Sequence, residues 1–311
     1  MSATRYTYLG PEGTFTEAAL RTLPEAATRE LVPMVSVTAA LDAVRGGEAA
    51  AALVPIENSV EGGVTTTLDE LANGEPLMIY REVLLPITFA LLVRPDTHLS
   101  DIKTVTGHPV AQPQVRNWLA AKLPDARWES AASNADGARL VRDGRYDAAF
   151  AGEFAARTYG LEPLVTQIHD AENAETRFVL VGRSARPSAP TGADRTSLII
   201  WLGNDHSGAL LELLQELAVR GVNLMLIQSR PTGAGIGNYW FAVDAEGHIT
   251  ERRVTEAVMG LKRSAPKVRF LGSYPRAGVT PKDVRTLRPG TSDGEFVKAV
   301  DWLTRIQDGR P

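Results

Sequence analysis

The sequence contains no cysteine and only five histidines. Without thiols the chain has no disulfide, no thiolate nucleophile and no thiolate metal site. The histidines also include no pair at the spacing that metal ligands require, which argues against a zinc site. They are His98, His108, His169, His206 and His248.

Strong charge and long apolar runs are also missing. The formal net charge is −4 at pH 7, so the chain lacks the basic field that binds nucleic acid. No apolar run approaches the roughly 20 residues of a membrane span, and the first residues lack a secretory pattern. The 311 residues, 44% hydrophobic and 23% charged, are typical of a globular protein of two or three domains. We therefore expect a soluble cytoplasmic protein with neither nucleic-acid nor membrane partners.

A polar pair opens an apolar, strand-like run after the middle of the chain. Thr176 and Arg177 lead directly into Phe178-Val179-Leu180-Val181. An Arg fork matches a carboxylate at two points, and a hydroxyl can donate one further hydrogen bond or a proton. The pair predicts a site for an anionic small molecule, with hydroxyl and guanidinium side by side at the mouth of a strand. The alternative is a solvated charge beside an ordinary β-branched strand residue.

The chain begins with a strand, a glycine-containing turn and a helix. The strand over 6–9 runs into Gly10-Pro11-Glu12-Gly13, and Thr14 or Thr16 can cap the helix that follows. Glycines before a helix start leave N–H groups and a positive dipole end that suit an anion. A plain strand-to-helix turn explains the same residues.

The next segment has a βαβ pattern. Strands are predicted over 31–35 and 49–54, with a helix over 38–44 between them. The second strand ends in polar residues at a carboxyl end, where open α/β sheets bind ligands. These residues are Glu57, Asn58 and Ser59.

A second unit of similar pattern follows and contains a weak internal repeat. Val44-Arg45-x-Gly47 before Ala51-Ala52 matches Val141-Arg142-x-Gly144 before Ala148-Ala149. Two related α/β lobes are therefore expected, with the strand over 178–181 crossing back into the first lobe. Two crossings form a hinge, and residues beside the crossing face a cleft.

A stretch rich in small residues, Pro and Gly separates these lobes from the C-terminal part. Beyond it the predicted element order is βαββαβ, the ferredoxin-like plan. The chain ends in an amphipathic helix that must dock either on its own domain or on a second subunit. Its apolar residues are Phe296, Val300, Trp302 and Leu303.

Six short motifs occur in one order along the chain. They are Gly10-Pro11-Glu12-Gly13-Thr14-Phe15, Val54-Pro55-Ile56-Glu57-Asn58-Ser59, His108-Pro109 with Gln114 beyond, Thr176-Arg177-Phe178, Gly208-Ala209-Leu210-Leu211 and Ser229-Arg230-Pro231. With them the chain resembles the monofunctional prephenate dehydratases that carry a C-terminal ACT regulatory domain. The resemblance covers residues 8 to about 273.

The resemblance implies an α/β fold in two parts. The first is a two-lobed, periplasmic-binding-protein-like catalytic domain over 1–183, and the second is a ferredoxin-like (βαββαβ) ACT domain. The expected boundaries are lobe 1 over about 1–85 and 175–183, lobe 2 over about 86–174, a linker over 184–195, the ACT domain over 196–275 and the tail over 276–311.

The implied reaction converts prephenate to phenylpyruvate in L-phenylalanine biosynthesis, with loss of water and carbon dioxide by a carbon–oxygen lyase. Because aromatisation drives it, we expect no cofactor and no metal. By resemblance, Thr176 donates a hydrogen bond at the leaving oxygen and Arg177 binds a carboxylate. Glu57 is either the proton source or a structural partner, and His108 is expected to be structural. The implied substrate contacts are Thr14, Phe15, Glu57, Asn58, Ser59 and Gln114.

For the C-terminal domain the resemblance implies feedback regulation by L-phenylalanine bound between two copies. The expected assembly is a homotetramer built as a dimer of dimers. Gln228 stands where the family usually has glutamate, so that corner is expected to bind less strongly. The alternative is a helix cap and a turn without ligand. The implied effector residues are Ser207, Gly208, Ala209, Leu210, Leu211, Asn223, Gln228, Ser229, Arg230 and Pro231.

Three residues depart from the pattern of many relatives. Phe89, Val115 and Gly152 stand where histidine, cysteine and serine are common, so Phe89 excludes proton transfer at its position. Two alternative functions fit the same features: arogenate dehydratase, and a non-catalytic amino-acid-sensing binding protein.

Overall fold

Strands and helices alternate along the N-terminal part, in the pattern that the sequence predicts. The computed structural model describes residues 4–60, 62–170, 174–203, 206–233 and 238–310. The chain divides into two units, one of residues 1–70 and 83–183 and the other of residues 71–82 and 184–311. No helix in the described ranges is long and apolar enough to cross a membrane.

Among the described residues up to 86, before the chain enters the second lobe, there are five strands and three α-helices. In chain order they are β1 Arg5–Leu9, α1 Phe15–Arg21, β2 Glu30–Met34, α2 Val37–Arg45, β3 Ala51–Asn58, β4 Gly62–Gly63, α3 Thr65–Asn73 and β5 Leu77–Pro86.

Helix α2 illustrates why these segments fold as they do. Ser36 caps it, its Oγ accepting from the Ala39 N–H at 3.1 Å. Val37, Ala40, Leu41 and Val44 recur at helical spacing and are all buried. The buried stripe packs α2 against β1 and β3.

The second lobe has its own sheet, with strand order β10-β6-β9-β7-β8. Strands β7 and β9 run parallel, and β6 runs antiparallel to β9. The elements are β6 Phe89–Val93, β7 Thr104–Gly107, α4 Gln112–Lys122, β8 Arg127–Ser130, α5 Asn134–Arg142, β9 Ala148–Ala151, α6 Phe154–Tyr159 and β10 Glu162–Ile168. The sequence pattern does not predict α6, a short helix that Gly160 ends at φ +65°.

Strand β11, Glu175–Arg183, returns the chain to the first lobe and completes the sheet order β2-β1-β3-β11-β5, with β4 on β3. Ala174 lies in the hydrophobic core of the second lobe, and Phe178 lies in that of the first. The chain therefore crosses between the lobes beside Thr176.

The predicted end of the third strand is wrong. The sequence places it at Val54 with a loop after it, whereas β3 continues to Asn58. The extension pairs antiparallel with β11, and the register shifts between Arg177 and Phe178. Glu57 and Asn58 therefore lie in a strand that is hydrogen-bonded to β11, and not in a loop.

The second unit contains a four-stranded sheet of order β13-β14-β12-β15. One face packs apolar side chains such as Leu198, Phe241 and Val243 against two helices. The elements are β12 Asp194–Trp201, α7 Ala209–Ala218, β13 Leu224–Pro231, β14 Tyr239–Glu246, α8 Arg252–Ser264 and β15 Lys267–Pro275.

Residues 71–82, which the sequence assigns to the first lobe, pack within the second unit. Arg269 Nη1 donates to the carbonyl oxygens of Leu71 at 2.8 Å and Gly74 at 2.7 Å. Gly272 lies so close to the carbonyl of Ile79 that a Cβ there would overlap it. Strand β5 therefore starts in the second unit and ends in the first.

The predicted terminal helix is present as α9, Asp293–Gln307, beside α8. Ser292 and Glu295 form a capping box at its start. None of its residues is buried, and its apolar side chains Val297, Val300, Trp302, Leu303 and Ile306 are exposed. Its docking partner stays a prediction.

Asp147 ties the start of β7 to β9. Its Oδ2 accepts from the N–H groups of Lys103 and Thr104 and from Thr104 Oγ1, at 3.0, 2.8 and 2.8 Å. Partial burial raises the pKa of Asp147, but these hydrogen bonds outweigh it and hold the pKa below its usual range.

We therefore expect Asp147→Asn to lower the free energy of unfolding at pH 7 by about 1–2 kcal/mol, because three donors lose a charged acceptor. A carboxyl with a depressed folded-state pKa stabilises above its unfolded pKa of about 3.9 and loses that effect as pH falls through the folded value. The difference from wild type, measured by denaturant unfolding, should thus persist above about pH 5 and shrink below about pH 3. Asp125→Asn, at an exposed position, is the control; a pH-independent difference for Asp147→Asn would contradict the assignment.

Candidate active site

The pairing of β3 with β11 brings the predicted catalytic residues into contact. Thr176 lies opposite Asn58, and Arg177 lies opposite Glu57. Residues that face each other across an antiparallel pair lie on the same side of the sheet. The two motifs predicted separately from the sequence are thus neighbours on adjacent strands.

Asn58 orients the Thr176 hydroxyl. Its Oδ1 accepts from the Val60 N–H at 2.8 Å, which turns its Nδ2 toward Thr176. Nδ2 then donates to Thr176 Oγ1 at 2.9 Å. Thr176 is only 7% exposed, so this hydrogen bond lies in a largely dry environment.

Arg177 lies in a buried ion pair. Its Nε donates to Glu57 Oε2 at 2.9 Å, and its side chain is 3% exposed against 34% for Glu57. Successive side chains of a strand point to opposite faces, so Arg177 and Thr176 do not lie side by side as the sequence suggested. Of the two alternatives for Glu57, the contact with Arg177 favours the structural partner.

Ser59 forms hydrogen bonds at the end of the pair of strands β3 and β11. Its N–H donates to the Glu175 carbonyl, and its Oγ accepts from the Glu175 N–H, both at 2.9 Å. These bonds hold the backbone immediately before Thr176. The predicted contact of Ser59 with substrate stays a prediction.

The glycine turn before α1 differs from the expected anion cradle. The Gly13 N–H donates to Glu17 Oε2 at 2.6 Å, and the Glu17 N–H donates to Thr14 Oγ1 at 3.4 Å. Thr14 Oγ1 in turn donates to the Leu9 carbonyl at 3.1 Å. The Glu17 carboxylate, which also pairs with Arg21, therefore takes the Gly13 N–H that an anionic ligand would need.

A cavity of about 610 Å³ lies between the two lobes. Thr14 and Phe15 line it from the first lobe, and His108 and Gly152 line it from the second. Thr176, Asn58 and Gln114 are not among its lining residues. Phe15 connects it to their region, because it packs against both hydrophobic cores, to which Ala174 and Phe178 belong.

Gln114 and His108 hold loops at the edge of the second lobe. Gln114 is 4% exposed, and its Nε2 donates to the Val110 carbonyl at 3.0 Å. Its Oε1 has no hydrogen-bond partner among the described residues. The His108 N–H donates to Asn134 Oδ1 at 2.8 Å, and its Nδ1 accepts from the Val110 N–H at 3.3 Å, which is a structural arrangement.

Sequence reasoning missed part of the cavity wall. Residues 33–35 are the last two residues of strand β2 and the residue after it, and residues 132–136 span the start of α5. Both segments lie at or after the carboxyl ends of strands, the signal that identified Glu57 to Ser59 and that also applied here. Phe154 of α6, which packs against the lining residue Phe15, was also missed because a short helix has little periodicity.

The described residues contain no group of three or more His, Asp or Glu side chains placed to hold a metal ion. Arg177 and Glu57, beside Thr176 and Asn58 on the two strands, pair with each other. The arrangement can therefore offer a hydroxyl hydrogen bond in dry surroundings.

The predicted effector residues lie at a helix start and on an edge strand of the second unit. Gly208 adopts φ +95° at the N-cap of α7, and a cavity of about 260 Å³ is lined by Ala209 among others. Asn223 precedes β13, and its carbonyl accepts from the Glu246 N–H at 2.8 Å. Ser207 precedes the cap, Leu210 and Leu211 are exposed on α7, and Gln228, Ser229, Arg230 and Pro231 lie on β13.

Comparison with known proteins identifies the relatives of this chain. The family model for prephenate dehydratase matches residues 6–186. A prephenate dehydratase of Mycobacteroides abscessus is 46% identical over 98% of this chain and 99% of its own length. One of Amycolatopsis methanolica is 47% identical over 98% of each chain.

Solved structures give the same result. Prephenate dehydratase from Arthrobacter aurescens in complex with L-Phe superposes with a TM-score of 0.91 at 47% identity, covering 98% of this chain and 99% of that one. The Staphylococcus aureus prephenate dehydratase gives 0.74 at 27% identity, covering 87% and 99%. GqqA, described as a novel type of quorum quenching acylase, gives 0.79 at 28% identity, covering 88% and 98%.

The matches extend over the full chain for the relatives and over the catalytic part for the family model. They confirm the prediction of a mixed α/β lyase with periplasmic-binding-protein-like architecture. The chain belongs to the prephenate dehydratase family.

Proposed function

We propose that this chain converts prephenate to phenylpyruvate with Thr176 as the catalytic hydrogen-bond donor. The observation that carries the mechanism is the contact in which Asn58 Nδ2 donates to Thr176 Oγ1 at 2.9 Å. Because the amide donates into Oγ1, the hydroxyl proton is directed toward a different acceptor. A departing ring hydroxyl supplies such an acceptor.

The reaction makes modest demands on the protein. The bond between the ring and its carboxylate breaks, its electron pair enters the ring, and the ring hydroxyl leaves with a proton as water. No electrons are exchanged with a partner. The protein has to supply a hydrogen bond to the leaving oxygen, a positioned substrate and dry surroundings for the departing carboxylate.

Thr176 meets the first demand through Asn58. A threonine hydroxyl is a weak acid, so it acts by a strong hydrogen bond with partial proton transfer. As negative charge grows on Oγ1, the hydrogen bond from Asn58 strengthens. Asn58 is thus the residue that makes the hydroxyl a better donor.

Arg177 acts through Glu57 in this mechanism. The buried ion pair fixes the residues next to Thr176 and Asn58 on both strands. The ion pair between Arg177 and Glu57 holds β3 and β11 together on one face of the sheet. It thereby fixes the positions of Asn58 and Thr176, whose hydrogen bond lies on the other face. Arg177 is therefore a positioning residue. The alternative is that Arg177 binds a carboxylate of the substrate directly, and steady-state kinetics of variants distinguishes the two roles.

Fold alone does not choose among the activities of its relatives. Arogenate dehydratase would use the same donor on a substrate with an amino group, and a sensor or an acylase would use the cleft differently. Phenylpyruvate absorbance on adding prephenate, compared with arogenate and with buffer, separates these functions.

The second unit is the proposed ACT regulatory domain, with L-phenylalanine as effector. The element order of β12 to β15 follows the ferredoxin-like plan, and the related Arthrobacter aurescens enzyme has been solved with L-Phe. Strand β13 is an edge of its sheet, and an edge can pair with a second copy. A homotetramer built as a dimer of dimers is the proposed assembly.

Strand β5 gives this regulation a physical route. Its first residues pack in the second unit, held by Arg269 and by the close approach of Gly272 to Ile79. Its last residues belong to the first unit, where β5 is the neighbour of β11 in the sheet. Strand β5 is thus the continuous element through which the proposed effector site connects to the catalytic domain.

Thr176→Val, which keeps the volume and removes the hydroxyl, should lower kcat by ~10²-fold or more because one transition-state donor is lost. The KM for prephenate and the melting temperature should change little. Thr176→Ser should restore most of the rate. Thr7→Val is the matched control, since Thr7 is a buried hydroxyl of the same sheet that donates to a backbone carbonyl. Wild-type turnover in Thr176→Val would remove this residue from the mechanism.

Arg177→Met, Glu57→Met and the double variant test the positioning role. Each single change removes the ion pair between the two strands, so we expect kcat to fall by roughly 10-fold, with the double variant no worse than either single one. If Arg177 instead binds a substrate carboxylate, Arg177→Met alone should raise KM strongly while Glu57→Met leaves it near wild type. Steady-state kinetics decides between these patterns.

L-Phenylalanine at millimolar concentration should inhibit the enzyme, and Gly208→Val should weaken that inhibition because valine is strained at φ +95°. Basal activity should persist. Gly144→Val imposes similar strain at φ +76° in the second lobe, away from the proposed effector site, and should leave inhibition intact. An enzyme indifferent to L-phenylalanine would overturn the effector assignment.

A further inference from the structure

Three phenylalanine rings meet at the cleft between the lobes. Phe15, at the start of α1 in the first lobe, lies edge-to-face with Phe89 at 5.7 Å and with Phe154 at 5.3 Å between ring centroids. Phe89 and Phe154 belong to β6 and α6 of the second lobe. Each such pair stabilises the contact beyond the burial of its apolar area. The cluster therefore holds one residue of the first lobe against two of the second.

Gly152 makes room for this arrangement. A Cβ at residue 152 would overlap the ring of Phe154. Gly152 and Phe15 both line the 610 Å³ cavity. Any side chain at residue 152 would thus displace the Phe154 ring, and Phe15 would lose one of its two aromatic neighbours.

The turn that carries Phe15 has further contacts with α6. Tyr159 donates its hydroxyl to the Glu12 carbonyl at 2.6 Å. Gly13 approaches the Tyr159 ring so closely that a Cβ would lie 3.0 Å from it. Burial raises the pKa of the Tyr159 hydroxyl, so it stays protonated and keeps donating.

We propose that Phe89, Phe154 and Gly152 are positioning residues for Phe15, which forms the apolar wall that keeps water from the departing carboxylate. This inference rests on the proposed dehydratase activity. A carboxylate that leaves as carbon dioxide spreads its charge into the ring, so an apolar wall favours the transition state over the solvated ground state. Phe15 supplies that wall only while both neighbouring rings hold it.

Gly152→Ala, Phe154→Ala and the double variant form the test. The Phe154 ring is 38% exposed and can rotate away, so Gly152→Ala should fold normally. Losing one aromatic pair should lower kcat by roughly 3- to 10-fold in each single variant, with KM near wild type. The double variant should equal Phe154→Ala, because Gly152 acts only through that ring.

Three outcomes would overturn the proposal: wild-type kcat in Phe154→Ala, additive losses in the double variant, or a loss expressed in KM alone. Gly137→Ala, where a Cβ would make only ordinary contacts at 3.4 Å or more, controls for a glycine substitution in the same lobe. If the wild-type enzyme does not turn over prephenate, the proposed function fails. If it does and the variants match it, only the role of the rings fails.

Discussion

The antiparallel register between β3 and β11 is the constraint on which the site depends. It places Asn58 against Thr176 on one face and Glu57 against Arg177 on the other. A shift by one residue would exchange these faces and set the hydroxyl beside a carboxylate, an acceptor that would take its proton. The register shift between Arg177 and Phe178 lets Phe178 keep its place in the core while the polar pairs stay aligned. Packing of the apolar strand thus determines which groups the two strand ends present.

The position of Thr176 between two cores links this chemistry to lobe closure. Ala174 is anchored in the second lobe and Phe178 in the first, so any relative movement of the lobes changes the backbone around Thr176. Phe15 packs against both cores as well. A site assembled at the crossing is complete only when the lobes are together, which is also the state that excludes water.

The sequence identifies the chemistry of the site better than its geometry. Thr176, Glu57 and Asn58 are predictable because polar residues at the ends of apolar strands stand out locally. The separation of Thr176 from Arg177 depends on strand alternation and on the length of β3, which a partner 118 residues away determines. The sequence assigns residues 71–82 to the first lobe, and only the long-range contacts of Arg269 and Gly272 assign them to the second unit. Contacts between residues so far apart in the sequence leave no local pattern from which they could be predicted.

Strand β5, which contains residues of both units, also limits how the proposed regulation by an effector can work. A ligand shifts an equilibrium only by the difference in its interaction with two states, so its binding energy has to reach an element that differs between them. Because Gly272 leaves no gap above Ile79, the sheet of the second unit cannot move there without carrying residues 71–82 along or breaking their contacts. The first alternative displaces β5 and the sheet in which β11 lies, whereas the second costs the two carbonyl hydrogen bonds of Arg269. Strand β5 is therefore the element on which the proposed effector has to act.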